Sequence, residues 1–136
     1  MKKINLVLFN PSIEGGGVEK NLFMIANYFA QKINNNIYFV TADKISKLDK
    51  RINLYKPIKS FNFKNRLYKY IYSLFILFLL LLKKKKLIIF SFQANLYAII
   101  FAKIFNQKII VRSNAAPLYW SLGYKKFIFK FFFKFA

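Results

Sequence analysis

Residues 4–20 read INLVLFNPSIEGGGVEK: an apolar run leads directly into three consecutive glycines and then into an amphipathic segment. The run 4–9 predicts a buried β-strand. The segment 18–32 predicts a helix, because its apolar residues recur at intervals of three and four. Glycines at such a junction permit positive φ and leave backbone N–H groups open beside the positive end of the helix dipole. The stretch therefore predicts a strand–turn–helix unit whose turn receives an anion or a sugar.

The glycines do not match two common phosphate-binding motifs. Lys20 stands where a dinucleotide fingerprint needs its last glycine, although Asp43 follows the next predicted strand as a ribose-binding acid would. No Gly-Lys-Ser/Thr follows, which excludes a P-loop. A plain tight turn with no ligand remains an alternative on spacing alone.

Strand and helix patterns alternate along the rest of the chain. Such alternation with continuous apolar strands predicts an α/β fold with a doubly wound parallel sheet, whose carboxyl edge gathers the loops after Phe9, Thr41, Ser91 and Arg112. Beyond the first unit, the strands are predicted at 37–41, 52–55, 87–91 and 108–112, and the helices at 64–82, 94–105 and 124–136.

Composition restricts the chemistry. The 136 residues, 57% of them hydrophobic, predict one domain spanning 1–136. Cysteine and histidine are absent, which excludes disulfides, thiol catalysis and a Ser-His-Asp triad. We expect no metal site and no cofactor, and the catalytic residue is unknown. Chemistry within this chain would depend on backbone dipoles, on cationic side chains and on four acids: Glu14, Glu19, Asp43 and Asp49.

The chain carries 24 lysines and arginines against 4 acids, for a formal charge of +20. This charge favours polyanionic partners: nucleic acid, anionic lipid headgroups or phosphorylated substrates. Lys, Asn, Ile, Phe and Tyr are also the residues that an AT-rich genome encodes most often. The alternative explanation of the positive charge is therefore mutational drift in base composition rather than selection for a partner. Aromatic residues, 21% of the chain, could stack on bases. No RNA- or DNA-binding signature is present, and no specific nucleic acid partner is expected.

The most lipid-like segment is IYSLFILFLLLL, residues 71–82, followed by four lysines at 83–86. It is shorter than the roughly 20 apolar residues that a membrane span needs. We expect a buried helix that also touches an anionic membrane surface, with insertion as the alternative. No signal peptide pattern opens the chain, so the predicted location is cytoplasmic, peripheral at the inner face of the cytoplasmic membrane.

Three motifs in order resemble the N-terminal half of a glycosyltransferase of the GT-B fold, family 4. The first is Gly16-Gly17-Val18-Glu19, similar to the family's G-G-x-E. The second is SFQANL at 91–96. The third is VRSNAAP at 111–117 with Trp120, similar to a variant R-S-N-x-x-P-x-x-W. The resemblance covers nearly the whole chain, although many relatives carry a histidine near the position of Ser113 or Asn114.

The resemblance implies one Rossmann-like half of a retaining, metal-independent enzyme that moves a sugar from a nucleotide-sugar to a glycan or lipid-linked acceptor. In the family the acceptor lies in the first domain and the nucleotide-sugar mainly in the second, which has no counterpart here. The implied reading is an acceptor half, incomplete at its C-terminus and inactive alone. The implied substrate-binding residues are Gly16, Gly17, Glu19, Gln93, Arg112, Ser113 and Asn114. The alternative is a basic domain that binds membrane or nucleic acid without catalysis.

Overall fold

The computed structural model describes residues 5–32, 36–45, 48–55 and 63–112, together with Phe127, Lys130, Phe131 and Lys134. Within these residues the chain forms an α/β unit with a five-stranded sheet, and every strand pairing is parallel. In chain order the elements are β1 (Asn5–Phe9), α1 (Gly17–Lys32), β2 (Asn36–Val40), β3 (Ile52–Leu54), α2 (Arg66–Lys83), β4 (Leu87–Ser91), α3 (Asn95–Ile104) and β5 (Lys108–Val111).

The strand order is β3-β2-β1-β4-β5, so β1 lies in the centre of the sheet. The chain builds outward on one side of β1 and then crosses to β4 on the other side. This reversal between neighbouring parallel strands creates a crevice at their carboxyl ends, where doubly wound proteins bind ligands. The pairing register places Phe9 opposite both Val40 and Ser91, so the three central strands end at the same level. The predicted doubly wound, Rossmann-like sheet is confirmed.

Side-chain alternation along the strands separates two apolar layers, one on each face of the sheet. On one face, Val7 and Phe9 pack with buried residues of α2 and α3 such as Leu77 and Ala98. On the other face, Leu8 and Phe39 pack with α1; its buried apolar residues are Leu22, Ala26 and Ala30. Both sides of the sheet are therefore covered by helices, as the continuous apolar strands require.

Element boundaries differ from the sequence predictions by at most two residues. The largest shift is at α2, which begins at Arg66 rather than at residue 64, because Asn65 is its N-cap. The Oδ1 of Asn65 accepts a hydrogen bond from the Leu67 N–H at 2.9 Å, which satisfies one of the free donors of the first turn. Similarly, Ala94 has a φ of 56° and precedes α3 instead of opening it.

Most of the chain after Arg112 lies outside the described residues. This portion includes Ser113, Asn114, the rest of the third motif with Trp120, and the predicted helix 124–136, of which Phe127, Lys130 and Phe131 are described as helical. The sequence predictions for this portion stay predictions.

Candidate functional site

The turn between β1 and α1 lies at the centre of the carboxyl edge. Gly15 has a φ of 82°, which L side chains rarely adopt, so the turn requires glycine there. Gly17 is the first residue of α1, and a Cβ added to it would meet nothing within 4 Å. A Cβ added to Gly16 would lie 3.0 Å from Oε2 of Glu19. The turn therefore has open space above Gly17 and a carboxylate beside Gly16.

Glu19 is only 4% exposed, although it occupies the first turn of a surface helix. Its Oε1 accepts a hydrogen bond of 3.3 Å from Nε2 of Gln93, in the loop after β4. The Gln93 Oε1 in turn accepts one of 3.4 Å from the Tyr70 hydroxyl. Strand order explains this meeting of residues 74 positions apart, because β1 and β4 are neighbours. The structure thus brings together Gly16, Glu19 and Gln93, and their role in substrate binding stays a prediction.

The first turns of α2 complete the edge with residues that the sequence analysis did not select. The Arg66 guanidinium donates to the Tyr70 hydroxyl at 3.2 Å and lies 3.3 Å from Oε1 of Glu14. The hydrogen bond to Tyr70 is the main cause that raises the pKa of Arg66 above its usual value. A crossover helix after β3 must begin at the carboxyl edge. The polar residues of its first turns could therefore have been assigned to the site from the predicted topology.

The Asp43 carboxylate stabilises the turn between β1 and α1. Its Oδ2 accepts a hydrogen bond of 2.7 Å from the Ile13 N–H, and its Oδ1 lies 2.8 Å from Nζ of Lys69. One carboxylate therefore joins the β1–α1 turn, the end of β2 and the start of α2. This contact gives Asp43 a structural role that its position after a strand did not predict.

A buried polar layer lies beneath the turn. The Pro11 carbonyl oxygen accepts hydrogen bonds from the Ala42 N–H at 3.1 Å, from the Ser73 hydroxyl at 3.2 Å and from the Thr41 hydroxyl at 3.4 Å. The Asn10 side chain donates to the Ser12 carbonyl at 2.9 Å, while its Oδ1 is buried without a partner among the described residues. These hydrogen bonds fix the position of the β1–α1 turn relative to the end of β2 and to α2.

Arg112 is fixed at the far side of the edge. Its N–H donates to the Ser91 carbonyl at 2.9 Å, and its own carbonyl accepts from Nδ2 of Asn95 at 2.8 Å. The guanidinium carbon lies 5.7 Å from the centroid of the Phe92 ring, within cation–π range. Within the described part of the chain, Arg112 makes no hydrogen bond or ion pair with Glu19 or Gln93, and the following residues Ser113 and Asn114 lie outside that part.

The acids of this strongly basic chain concentrate at the carboxyl edge. Three of its four acids, Glu14, Glu19 and Asp43, lie there beside Arg66 and Lys69. The fourth, Asp49, pairs with Arg51 at 2.8 Å, and hydrogen bonds from Arg51 lower its pKa to about 2. In the part of the chain that the structure describes, no three acids converge closely enough to hold a metal ion. The edge offers hydrogen-bond acceptors and donors side by side, which suits a polyhydroxylated ligand.

Comparison with known proteins found no match among protein-family models, curated proteins or solved structures.

Proposed function

We propose that this chain is the acceptor-side half of a retaining, metal-independent glycosyltransferase of the GT-B type. The observation that carries the proposal is the meeting of the glycine turn, Glu19 and Gln93 at the point where the sheet order reverses. Two of the three motifs behind the family resemblance, far apart in sequence, thereby contribute to one crevice. In doubly wound proteins this crevice is where ligands bind.

The chemistry of the edge favours sugar hydroxyls over a phosphate at the glycine turn. The Glu19 carboxylate already lies beside Gly16, at the positive end of the α1 dipole, where a phosphate would otherwise bind. A second anion at this point would be repelled, whereas a hydroxyl can donate to Glu19 and accept from the second amide hydrogen of Gln93. We assign the space above Gly17 to an acceptor sugar.

The cations of the edge lie farther from the turn. Arg112 rests over Phe92, and Arg66 lies beside Glu14. Arginine guanidinium groups match the diphosphate of a nucleotide-sugar in charge and geometry. In the proposed enzyme the donor is held mainly by a second domain, contributed by the same gene or by a separate chain. Alone, this chain binds an acceptor sugar weakly and does not transfer one.

Binding and catalysis are tested separately with the full chain labelled with ¹⁵N. Mono- and disaccharides should shift the amide signals of Gly16 and Gly17 and the side-chain signal of Gln93. Glu19→Gln should weaken this binding by roughly tenfold, because a hydrogen bond to a charged acceptor contributes about 1.4 kcal/mol more than one to a neutral amide oxygen. Asp49→Asn, a matched substitution away from the edge, should bind normally. Sugar-induced shifts that are absent, or that lie elsewhere, would contradict the assignment of the site.

Catalysis is measured with labelled nucleotide-sugars and a membrane lipid extract as acceptor. The isolated chain should give no labelled product. Robust turnover by the isolated chain would show that it is not merely an acceptor half.

A further inference from the structure

The outward side of α2 is apolar along its whole length. We call Leu67, Tyr68, Ile71, Phe75 and Leu82 the outer face of α2. These side chains are 47% to 63% exposed, whereas the opposite side of the helix packs on the sheet. With 3.6 residues per turn, the five positions fall within an arc of about 100°. More than a quarter of the helix circumference therefore presents apolar side chains to the outside.

Charged residues are confined to the two ends of α2. Between Lys69 and Lys83 the helix has no charged residue, although surface helices normally carry charges on their outward side. At the C-terminal end the four lysines at 83–86 are all exposed. At the N-terminal end Lys64 and Arg66 are exposed as well. The pattern is an apolar centre with a cationic group at each end.

We propose that the outer face of α2 lies on an anionic lipid surface, with the helix axis in the membrane plane. The apolar residues enter the boundary between headgroups and acyl chains, and the terminal cations contact anionic headgroups. No helix in the described part of the chain has the length and apolarity needed to cross a bilayer.

The charge distribution distinguishes among three partners that could bind the outer face of α2: a second copy of the chain, a nucleic acid and an anionic bilayer. A second copy of the chain would bring one formal charge of +20 against another, with cations opposed at both ends of α2. A nucleic acid would pair its phosphates with the lysines but would leave the apolar residues at the centre of α2 exposed to water. An anionic bilayer is complementary to both parts of the face.

This orientation has a consequence for the carboxyl edge. In an all-parallel sheet the crossover helix α2 runs opposite to the strands, and its first turns contact the edge through Lys69 with Asp43 and Ser73 with Pro11. When α2 lies flat on the membrane, the strands lie parallel to it and the edge opens sideways at headgroup level. A lipid-linked polar group could then reach the edge by lateral diffusion. The membrane contact itself does not depend on sugar transfer.

The absence of cysteine allows a direct test with the full chain. A polarity-sensitive dye is attached to Ile71→Cys on the outer face, or to Met24→Cys on α1, a position that is 69% exposed. Vesicles of phosphatidylcholine with phosphatidylglycerol should shift the emission of the dye at position 71 to the blue and leave that at position 24 unchanged. The protein should bind pure phosphatidylcholine vesicles much more weakly than anionic vesicles. Its affinity should fall roughly fivefold for each lysine that contacts the anionic surface.

Vesicle co-sedimentation of unlabelled variants separates the apolar contribution from charge. The double variant Ile71→Gln with Phe75→Gln keeps the net charge and should bind anionic vesicles roughly tenfold more weakly per side chain. The control is Met24→Gln with Tyr28→Gln, which removes two exposed apolar side chains of α1, on the opposite face of the sheet, and should bind normally. Circular dichroism verifies that both variants are folded.

Three results would overturn the proposal. The first is equal binding of the two folded double variants to anionic vesicles. The second is a blue shift at position 71 that grows with protein concentration in the absence of vesicles, which would indicate self-association. The third is a blue shift with a homopolymeric single-stranded DNA but not with vesicles, which would assign the face to nucleic acid.

Discussion

Glu19 illustrates how a residue's surroundings change its interpretation. As a first-turn acid it would be an ordinary helix-stabilising residue, worth about 0.3–1 kcal/mol through the helix dipole. In the structure it is buried, lies beside Gly16 and accepts a hydrogen bond from Gln93. In the proposed site, a carboxylate held in this way would accept a hydrogen bond from a ligand hydroxyl, and it occupies the helix N-terminus where an external anion would otherwise bind.

The glycines of the turn should respond differently to substitution. Gly17→Ala should raise the free energy of unfolding by about 0.4–1 kcal/mol, because the added methyl group has space and alanine restricts the unfolded chain. Gly15→Ala should lower it by about 1–2 kcal/mol, because Gly15 has a φ of 82°. Urea denaturation of the two variants measures both effects.

The same residues test the proposed site. Gly17→Val should remain folded yet abolish the sugar-induced amide shifts, since its side chain fills the open space above the turn. Normal sugar binding by a folded Gly17→Val variant would mean that the glycine serves only the turn.

At the scale of elements, α2 has two sides with different roles. The inner side supports the fold through Ile76, Leu77 and Leu80, all fully buried. It also holds the glycine turn, because the Ser73 hydroxyl donates to the Pro11 carbonyl. The side chains of the outer face are about half exposed and therefore contribute less to the fold.

A matched pair of leucine substitutions separates these roles. Leu77→Ala should lower the free energy of unfolding by about 2–5 kcal/mol, as truncation of a buried leucine usually does. Leu82→Ala, at a position that is 58% exposed, should change it by less than about 0.5 kcal/mol. Thermal and urea unfolding give the comparison. Similar losses for both variants would mean that the outer face is packed within the folded chain.

At the scale of the whole molecule, the formal charge of +20 acts against compactness. Three ion pairs in the described part of the chain, Asp49–Arg51, Glu14–Arg66 and Asp43–Lys69, offset only a small share of it. Repulsion among the remaining cations should therefore dominate the salt dependence of stability.

Added sodium chloride should stabilise this protein against urea. The screening length falls from about 30 Å at 0.01 M salt to about 8 Å at 0.15 M, which weakens repulsion between distant lysines. The midpoint of urea unfolding should rise over this interval. It should rise less in a variant with glutamine at positions 83–86, which has four fewer positive charges. A midpoint that falls with salt would show that the ion pairs outweigh the repulsion.

Much of the fold follows from local pattern. The apolar run 87–91 predicts its strand without error in either boundary, and the three glycines mark the turn after β1. Composition alone excludes thiol and histidine chemistry. Boundaries shifted where a single side chain decides them, as Asn65 does at the start of α2. These features depend on residues that are close in sequence, which is why the sequence is sufficient to predict them.

Two further features required the tertiary structure. Glu19 meets Gln93 only because β1 pairs with β4, and pairing between distant strands is not encoded in the periodicity of either strand. The outer face of α2 could not be distinguished from its inner face, because a helix that is apolar on all sides carries no pattern that orients it. Packing against the sheet decides which side is buried. Sequence thus determined the elements and the chemistry available, whereas their arrangement in space determined which groups meet and which surface remains open.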